Sequence, residues 1–343
     1  MKLGIIFGGS GSERYVSVVS ATSIITNLNK DKYQIYPIYL DGTNKWYQVN
    51  DKITSICELG YLPKHIKKIN NPIKYLKKLD IVFPCIHGKI GEDGKIEGLF
   101  ELLNIPYVGS QIFSSSLAYD KVYTKRLLAS SGISVVRDIV LKKKNSGYIL
   151  VDENFKEHII DINYLYVLVA KKLGYPIFVK PAREGSSVGV IKVENENNLK
   201  EAIKKSFKYD NKILLEEAIN ARELECAILN DKALEVGEII SNENFYSYSS
   251  KYINKKSYTI VPANISKKLR KEVLNISKQA FKVIDGKNLA RIDFFYDMEN
   301  NKLYLNEINT MPGFTTISMY PKLAISTGIT YAELLDTLIS SAI

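Results

Sequence analysis

Cysteine, tryptophan and histidine are scarce: the chain of 343 residues holds three, one and three of them. Cys57, Cys85 and Cys226 are odd in number, widely spaced and set in apolar segments. That excludes a disulfide framework and predicts reduced core thiols in a cytoplasmic protein. No apolar run approaches the roughly 20 residues that span a bilayer. The N-terminal MKLGIIFGGSGSE also lacks the longer apolar core and small-residue cleavage site of a secretory signal, so no membrane partner is expected. Repeats and low-complexity tails are absent. The formal charge of +10 comes from lysines spread along the chain, with only modest clusters over 64–78 and 142–144. A nucleic-acid binder would gather that charge on one face or arm, so no nucleic-acid partner is expected. A generally basic surface that attracts small anions is the better account.

What remains is globular: 45% of residues are apolar and 24% charged, and 343 residues suit two or three domains. Residues 3–7 read as a short buried strand, followed by the glycine-rich turn 8–13 and a helix over 16–28. This layout suits a phosphate or carboxylate, because helix N-terminal amides attract anions. The spacing falls short of a dinucleotide fingerprint. Strands at 34–40 and 81–84, a helix at 94–103 and a strand at 107–108 complete an open α/β unit ending near 114. The pattern next predicts a helix over 115–131, a strand at 135–141, a helix at 164–173 and a strand at 177–180. The glycine/serine loop 182–189 then joins two strands, as a flap over phosphates would. A strand follows it at 190–193, a helix at 199–205, and an edge-type strand ending in acids at 213–217. Two further strands occupy 223–229 and 233–239. Residues 242–264 are polar, aromatic and irregular, the composition of a functional lid or a disordered segment. An amphipathic helix is expected over 266–283, and a last helix at 331–342.

The sharpest chemical signal lies at 290–320, ARIDFFYDMENNKLYLNEINTMPGFTTISMY. Strands at 290–297 and 302–310 flank a polar turn at 298–301. Centred on Asn300, the hairpin sets Asp293 opposite Glu307 and Arg291 opposite Asn309. Residues two apart on a strand share a face, so Glu307 and Asn309 point one way, as do Arg291 and Asp293. Facing carboxylates roughly 5 Å apart repel. A divalent cation turns that repulsion into a site, and Asp, Glu and Asn oxygens suit Mg2+ or Mn2+. The other reading is a solvated face on which the charges never converge. The apolar Ile292, Phe294, Leu303 and Leu305, and the loop Met311-Pro312-Gly313, weigh toward the metal.

The segments GGSGSER, HGKIGEDGKIEG, DKVYTK, FVKPAREGSSVGV, FYSYSSKY and LNEINTMPGFTTISMYP, in this order, resemble the D-alanine-D-alanine ligase family of the ATP-grasp superfamily. The resemblance covers essentially the whole chain. It implies a fold of mixed α/β and α+β class, a three-domain ATP-grasp with an open α/β N-terminal domain. The domains would be 1–114, a central ATP-grasp subdomain at 115–211, and a C-terminal domain at 212–343 with the metal site and a lid at 242–264. It also implies that ATP phosphorylates the carboxylate of one D-alanine. The amine of a second D-alanine then attacks this acyl phosphate, for peptidoglycan precursor synthesis.

The site residues follow by position. Asp293, Glu307 and Asn309 match the ligands of Mg2+ or Mn2+, with two ions implied. Arg291 and the amide of Gly313 match the oxyanion stabilisers, glycine being apt because a Cβ would obstruct close approach. Lys121, Lys180 and Lys251 match the lysines on ATP phosphates. Lys180 closes an apolar strand, where an unpartnered lysine is costly. Glu216 and Ile219 fall at adenine and Glu223 at the ribose, although Glu217-Ala218 offers no bulky aromatic for the purine. Glu13 matches the acid on the first D-alanine's ammonium and His87 the histidine near its carboxylate. Ser186 and Tyr252 would complete with Glu13 a triad that ties the domains when the lid closes. That closure would keep water from the acyl phosphate. Tyr15 takes no role.

The second substrate is read from Lys251-Tyr252 and Ser318-Met319. Ligases that take D-lactate carry a histidine-bearing lid, and this chain has no histidine after His158. Ser318 is placed for the second carboxylate and Met319 for a methyl group, as in housekeeping enzymes. An apolar pocket discriminates only weakly against one added hydroxyl, so D-serine stays open as a side substrate. Family members are commonly homodimers, and a homodimer is the expectation here.

Overall fold

The computed structural model describes residues 1–50, 66–145, 147–241 and 257–343. Three sheets carry these residues. The first has order β4-β3-β2-β1-β5, built from β1 (Lys2–Gly8), β2 (Gln34–Leu40), β3 (Trp46–Val49), β4 (Ile66–Lys68) and β5 (Ile81–Cys85). β1 runs parallel to both β2 and β5. Around it lie α1 (Arg14–Asn27), the short α2 (Pro72–Leu76) and α3 (Lys95–Leu102). Leu3, Ile5 and Ile6 of β1 are fully buried, as a parallel strand covered on both faces should be.

The second sheet has order β10-β9-β11-β6-β7-β8. Its strands are β6 (Asp138–Lys143), β7 (Tyr148–Val151), β8 (Glu157–Ile160), β9 (Ile177–Pro181), β10 (Ile191–Val193) and β11 (Lys212–Glu217). The third, β14-β13-β12-β15-β16, comprises β12 (Ala221–Leu229), β13 (Lys232–Ser241), β14 (Ser257–Ile260), β15 (Leu289–Asp297) and β16 (Lys302–Asn309). The remaining helices are α4 (Ile112–Tyr119), α5 (Lys121–Ser130), α6 (Ile162–Lys172), α7 (Leu199–Ser206), α8 (Lys267–Val283), α9 (Met319–Ile325) and α10 (Tyr331–Ser340). The mixed α/β and α+β class expected of the chain is what these sheets show.

Several boundaries differ from expectation. The helix expected over 115–131 is two helices broken at Asp120. The Asp120 carboxylate accepts from the amide of Val122 at 3.1 Å and pairs with Lys212 Nζ at 2.5 Å. A capped new start replaces one continuous turn. The strand at 107–108 is a single bridge, Val82 to Tyr107. The segment 213–217 is no edge: β11 lies between β9 and β6, with Ile213, Leu214 and Leu215 fully buried. Its terminal acids misled because lysines on neighbouring elements neutralise one of them inside. Ser257–Ile260, assigned to the irregular stretch, pairs with β13 as a strand. The hairpin β7–β8 and helix α9 have no counterpart among the expected elements.

The first and last parts of the chain share one core. Leu3, Phe83 and Val108 cluster with Phe314, Tyr320, Leu334 and Leu338. Phe83 and Phe314 meet edge to face at 5.4 Å. The Phe314 amide donates to Ser20 Oγ at 3.1 Å, and Tyr331 donates its hydroxyl proton to the Phe314 carbonyl at 2.7 Å. The loop after β16 is therefore clamped against α1, which brings the two ends of the sequence to one cleft.

Candidate active site

The hairpin pairs as expected at its functional end: Arg291 with Asn309, Ile292 with Ile308, and Asp293 with Glu307. Towards the turn the partners shift by one, Phe294 with Leu305 and Asp297 with Lys302. Asn306 is the extra residue of a β-bulge between these stretches. The bulge lets Leu305 and Ile308 both bury while Asn306, Glu307 and Asn309 face the cleft.

One end of the cleft is lined by Glu13, His87, Lys121, Ser186, Arg291, Glu307, Asn309, Gly313, Ser318 and Met319. An adjoining part is lined by Lys180, Ser186, Glu223, Asp293 and Glu307. These expected amino-acid and nucleotide residues are thus brought together in two neighbouring compartments, whereas Glu216 is buried against Lys180 and lines neither. Ile219 faces a different cleft with Val135, Arg137 and Tyr304. Lys251 and Tyr252, and the expected lid up to residue 256, lie outside the described residues.

The turn after β1 sets Glu13 at the start of α1. Gly8 and Gly9 have φ of 103° and 94°, and a Cβ on Gly8 would come within 2.2 Å of the Leu40 carbonyl oxygen. Across the cleft, β9 and β10 hold the flap loop, in which Ser186 and Ser187 take left-handed φ of 49° and 60°. Ser186 donates its hydroxyl proton to Glu13 Oε1, joining flap to first domain. A Cβ on Gly185 would lie 2.9 Å from Glu13 Oε2 and would displace that carboxylate. His87 is buried, its Nδ1 3.0 Å from the Met311 carbonyl oxygen and its Nε2 3.4 Å from Ser20 Oγ. Burial lowers its pKa.

Two buried charge networks form the walls. On the central sheet, Lys125 Nζ lies 2.5 Å from Glu216 Oε1 and 3.0 Å from Asp138 Oδ2, while Lys180 pairs with Glu216 Oε2. Burial alone would push the Glu216 carboxyl up, but the two lysines hold it down to about 2. On the last sheet, Arg291 donates Nε–H to Asp293 Oδ1 at 2.7 Å and Nη2–H to Asp293 Oδ2 at 2.6 Å. Its Nε is also 3.0 Å from Glu225 Oε2. Burial opposes the charge on Arg291, yet Asp293 and Glu225 raise its pKa well above the usual value. Lys121 donates to the Glu184 carbonyl oxygen at 2.7 Å and stands 3.7 Å from Glu307 Oε2.

Near the C-terminal loop, Ser318 Oγ accepts from the Thr315 amide at 3.1 Å and lies 2.7 Å from Thr315 Oγ1. A Cβ on Gly313 would sit 2.7 Å from Ser318 Oγ, so a larger residue there would push the hydroxyl from its place. Met319 is buried against Gly237.

Sequence reasoning missed Glu92, Lys125 and Glu225. Lys125 follows Lys121 by four residues on α5, hence on the same helix face. Glu225 follows Glu223 by two on an apolar strand, and both line the cleft. Glu92, whose Oε1 accepts from the Gly88 amide at 2.9 Å, sits in the segment HGKIGED and lines the cleft near Glu13. Burial, reinforced by Glu13, raises its pKa well above the ordinary carboxylate value.

For a divalent cation, Asp293 and Glu307 offer facing carboxylates and Asn309 an amide oxygen, an oxygen donor set that fits such an ion. Among the described residues no three His, Cys, Asp or Glu side chains gather as a metal cage. Two carboxylates and an amide leave coordination positions for phosphate oxygens, so the residues fit a cation held jointly with a nucleotide.

The family model described as D-ala D-ala ligase N-terminus matches residues 2–110, and that described as D-ala D-ala ligase C-terminus matches residues 128–340. The D-alanine--D-alanine ligase of Caldicellulosiruptor bescii is 40% identical over 359 residues, covering 100% of this chain and 95% of the relative. The D-alanine--D-alanine ligase B of Clostridium tetani is 41% identical over 352 residues, covering 100% and 94%. Among solved structures, the VanG D-Ala:D-Ser ligase from Enterococcus faecalis superposes with a TM-score of 0.85 at 32% identity, covering 100% of this chain and 99% of that one.

Proposed function

The chain belongs to the D-alanine-D-alanine ligase family, and from that premise we propose a role for each residue of the cleft. It joins two D-alanines to D-alanyl-D-alanine at the expense of ATP, for peptidoglycan precursor synthesis. The family uses ATP and a divalent metal. Asp293, Glu307 and Asn309 would hold Mg2+ or Mn2+, as one or two ions. When bound, such a cation offsets the negative charge that gathers on transferring phosphate oxygens.

Lys121 and Lys180 bind the phosphates, Lys180 exchanging Glu216 for the nucleotide while Lys125 keeps Glu216 neutralised. Glu223 faces the ribose, and Glu216 is assigned to the adenine, with Ile219, which lines the separate cleft beside Val135 and Tyr304, assigned there by position alone. Lys251 is assigned to the γ-phosphate. Glu13, held by Ser186, grips the ammonium of the first D-alanine, with Tyr252 assigned as the third member of that triad. His87 borders the first carboxylate, and Arg291 with the Gly313 amide stabilises the oxyanion as the carboxylate is phosphorylated and attacked. Preorganised donors in a water-poor cleft do this without reorganising. Ser318 receives the second carboxylate, and Met319 packs on the second methyl group.

The domains are taken as 1–114, 115–211 and 212–343. The same reading describes a cytoplasmic homodimer acting on small molecules, with no nucleic-acid or membrane partner. Among the described residues no helix is long and apolar enough to cross a membrane.

The observation that carries this reading is the register pair Asp293–Glu307 beside Arg291, in one cleft with Glu13–Ser186. The test is phosphate release from ATP with D-alanine alone, and with D-serine or D-lactate added, the product identified by mass. D-Alanyl-D-alanine should dominate. No D-alanine-dependent phosphate, or a mixed ester as the main product, would refute the assignment.

A further inference from the structure

Glu225 is buried on β12, in register with Asp293 of β15, which is in turn in register with Glu307 of β16. Three carboxylates therefore cross neighbouring strands in one row, where like-charged cross-strand pairs are normally avoided. Arg291 lies among them. Asp293 grips its guanidinium with both oxygens, yet Glu225 Oε2 stands 3.0 Å from the same Nε that Asp293 already engages. Glu225 shares the charge of Arg291 with Asp293 while both oxygens of Asp293 face the arginine. It matters once Asp293 turns an oxygen to a cation, because a buried guanidinium that loses half its bonds to Asp293 then depends on Glu225 for the rest of its hold.

We propose that Glu225 is a positioning residue for Arg291, keeping the guanidinium aimed into the cleft in the metal-loaded state. The inference rests on the metal and oxyanion roles assigned above. Glu225 makes no contact with reacting atoms in this role. Its effect is exerted through Arg291, so its loss should slow the chemical step and spare nucleotide binding.

The experiment compares the full-length Glu225→Gln, Glu225→Asp, Asp293→Asn and Arg291→Lys proteins and the Glu225→Gln/Arg291→Lys pair. It measures affinity for ADP with Mg2+ by calorimetry, together with kcat and the KM for ATP. For Glu225→Gln, kcat should fall about 30-fold while KM and Mg2+·ADP affinity stay within about threefold. Glu225→Asp keeps the charge but withdraws the carboxylate, and should lose kcat in the same manner. It also serves if the glutamine variant fails to fold. Glu225→Gln should cost little further in the Arg291→Lys background, because its effect passes through the arginine.

A wild-type-like kcat in Glu225→Asp would show that only charge balance matters, and would overturn the proposal. So would additive losses in the pair, or a fall in Mg2+·ADP affinity matching that of Asp293→Asn. Asp293→Asn separates the two levels of argument. If it binds Mg2+·ADP like wild type, the metal assignment itself fails. If it loses that binding while Glu225→Gln is silent, only the positioning role fails.

Discussion

The two walls of the cleft are opposite in charge. At the central sheet, Lys125 and Lys180 flank the carboxylate of Glu216, and Lys125 and Arg126 pair with Asp138, leaving cations in the majority. On the last sheet, Glu225, Asp293 and Glu307 surround the single guanidinium of Arg291. In each wall the minority charge keeps the majority charges from repelling while no ligand is present. Each wall also presents groups of the sign its ligand needs: cations for phosphates on one side, carboxylates for a divalent ion on the other. Buried ion pairs of this kind contribute little net stability, because desolvation offsets their attraction. Their worth lies in what they can release to a ligand.

The hardest break of this symmetry is Glu307→Gln, which removes a charge from the anionic wall without changing its shape. Turnover should fall about 10²-fold or more at constant fold, as expected when charge stabilisation of the transition state is lost. Steady-state kinetics with a melting curve on the same sample checks it, and near-normal turnover would refute the anionic wall's role.

On the cationic wall Lys125→Met should act on stability first. It strands Glu216 and Asp138 with one fewer buried partner, and breaking such a pair costs about 3–5 kcal/mol. A denaturant titration reads the loss directly. An unfolding midpoint equal to wild type would mean that the network is not held by Lys125.

The smallest effect sharpens the comparison through pH. Glu97 of α3 is as buried as Glu216 but pairs with no lysine among the described residues, and burial pushes its carboxyl up to about 8. The native state then keeps a proton that the unfolded chain releases near the ordinary 4.5. Stability from this group is complete below about 4.5 and declines as pH rises towards 8, by at most about 1.4 kcal/mol per pH unit. Glu216 has the reverse sign: its contribution is present above 4.5 and is lost only as pH falls through about 2. Between pH 5 and 8, Glu97→Gln should therefore flatten the fall in Tm, whereas that window should contain no step from Glu216. An unchanged pH slope in Glu97→Gln would contradict the assignment.

Legibility from the sequence varied with the range of the interaction. The facing of Asp293 and Glu307 was readable because both strands and their turn are contiguous, so counting from Asn300 set the pair. Even there the count succeeded through the bulge at Asn306, which no local pattern announced. Glu13, Ser186, Gly313 and Ser318 were placed by resemblance of short segments, since nothing near them in sequence says that they share a cleft. Glu225 and Lys125 are not legible in the sequence, because a lone acid in a strand or lysine in a helix looks like ordinary surface chemistry. Their importance comes from partners 66 and 91 positions away, Arg291 and Glu216 respectively. Asp120 reads as the interior of one long helix because its capping bonds and its pairing with Lys212 carry no periodicity.

Sequence alone determined the local units: which stretches alternate as strands, which wind as amphipathic helices, and which glycine turns leave amides open to anions. These follow from dihedral preferences and from apolar spacing within a few residues. Tertiary structure alone decided which charges become neighbours. It made β11 central, clamped the Phe314 loop onto α1, and set Glu225 against Arg291. Such contacts depend on how three sheets pack, and packing energy is shared among many side chains distant in the chain.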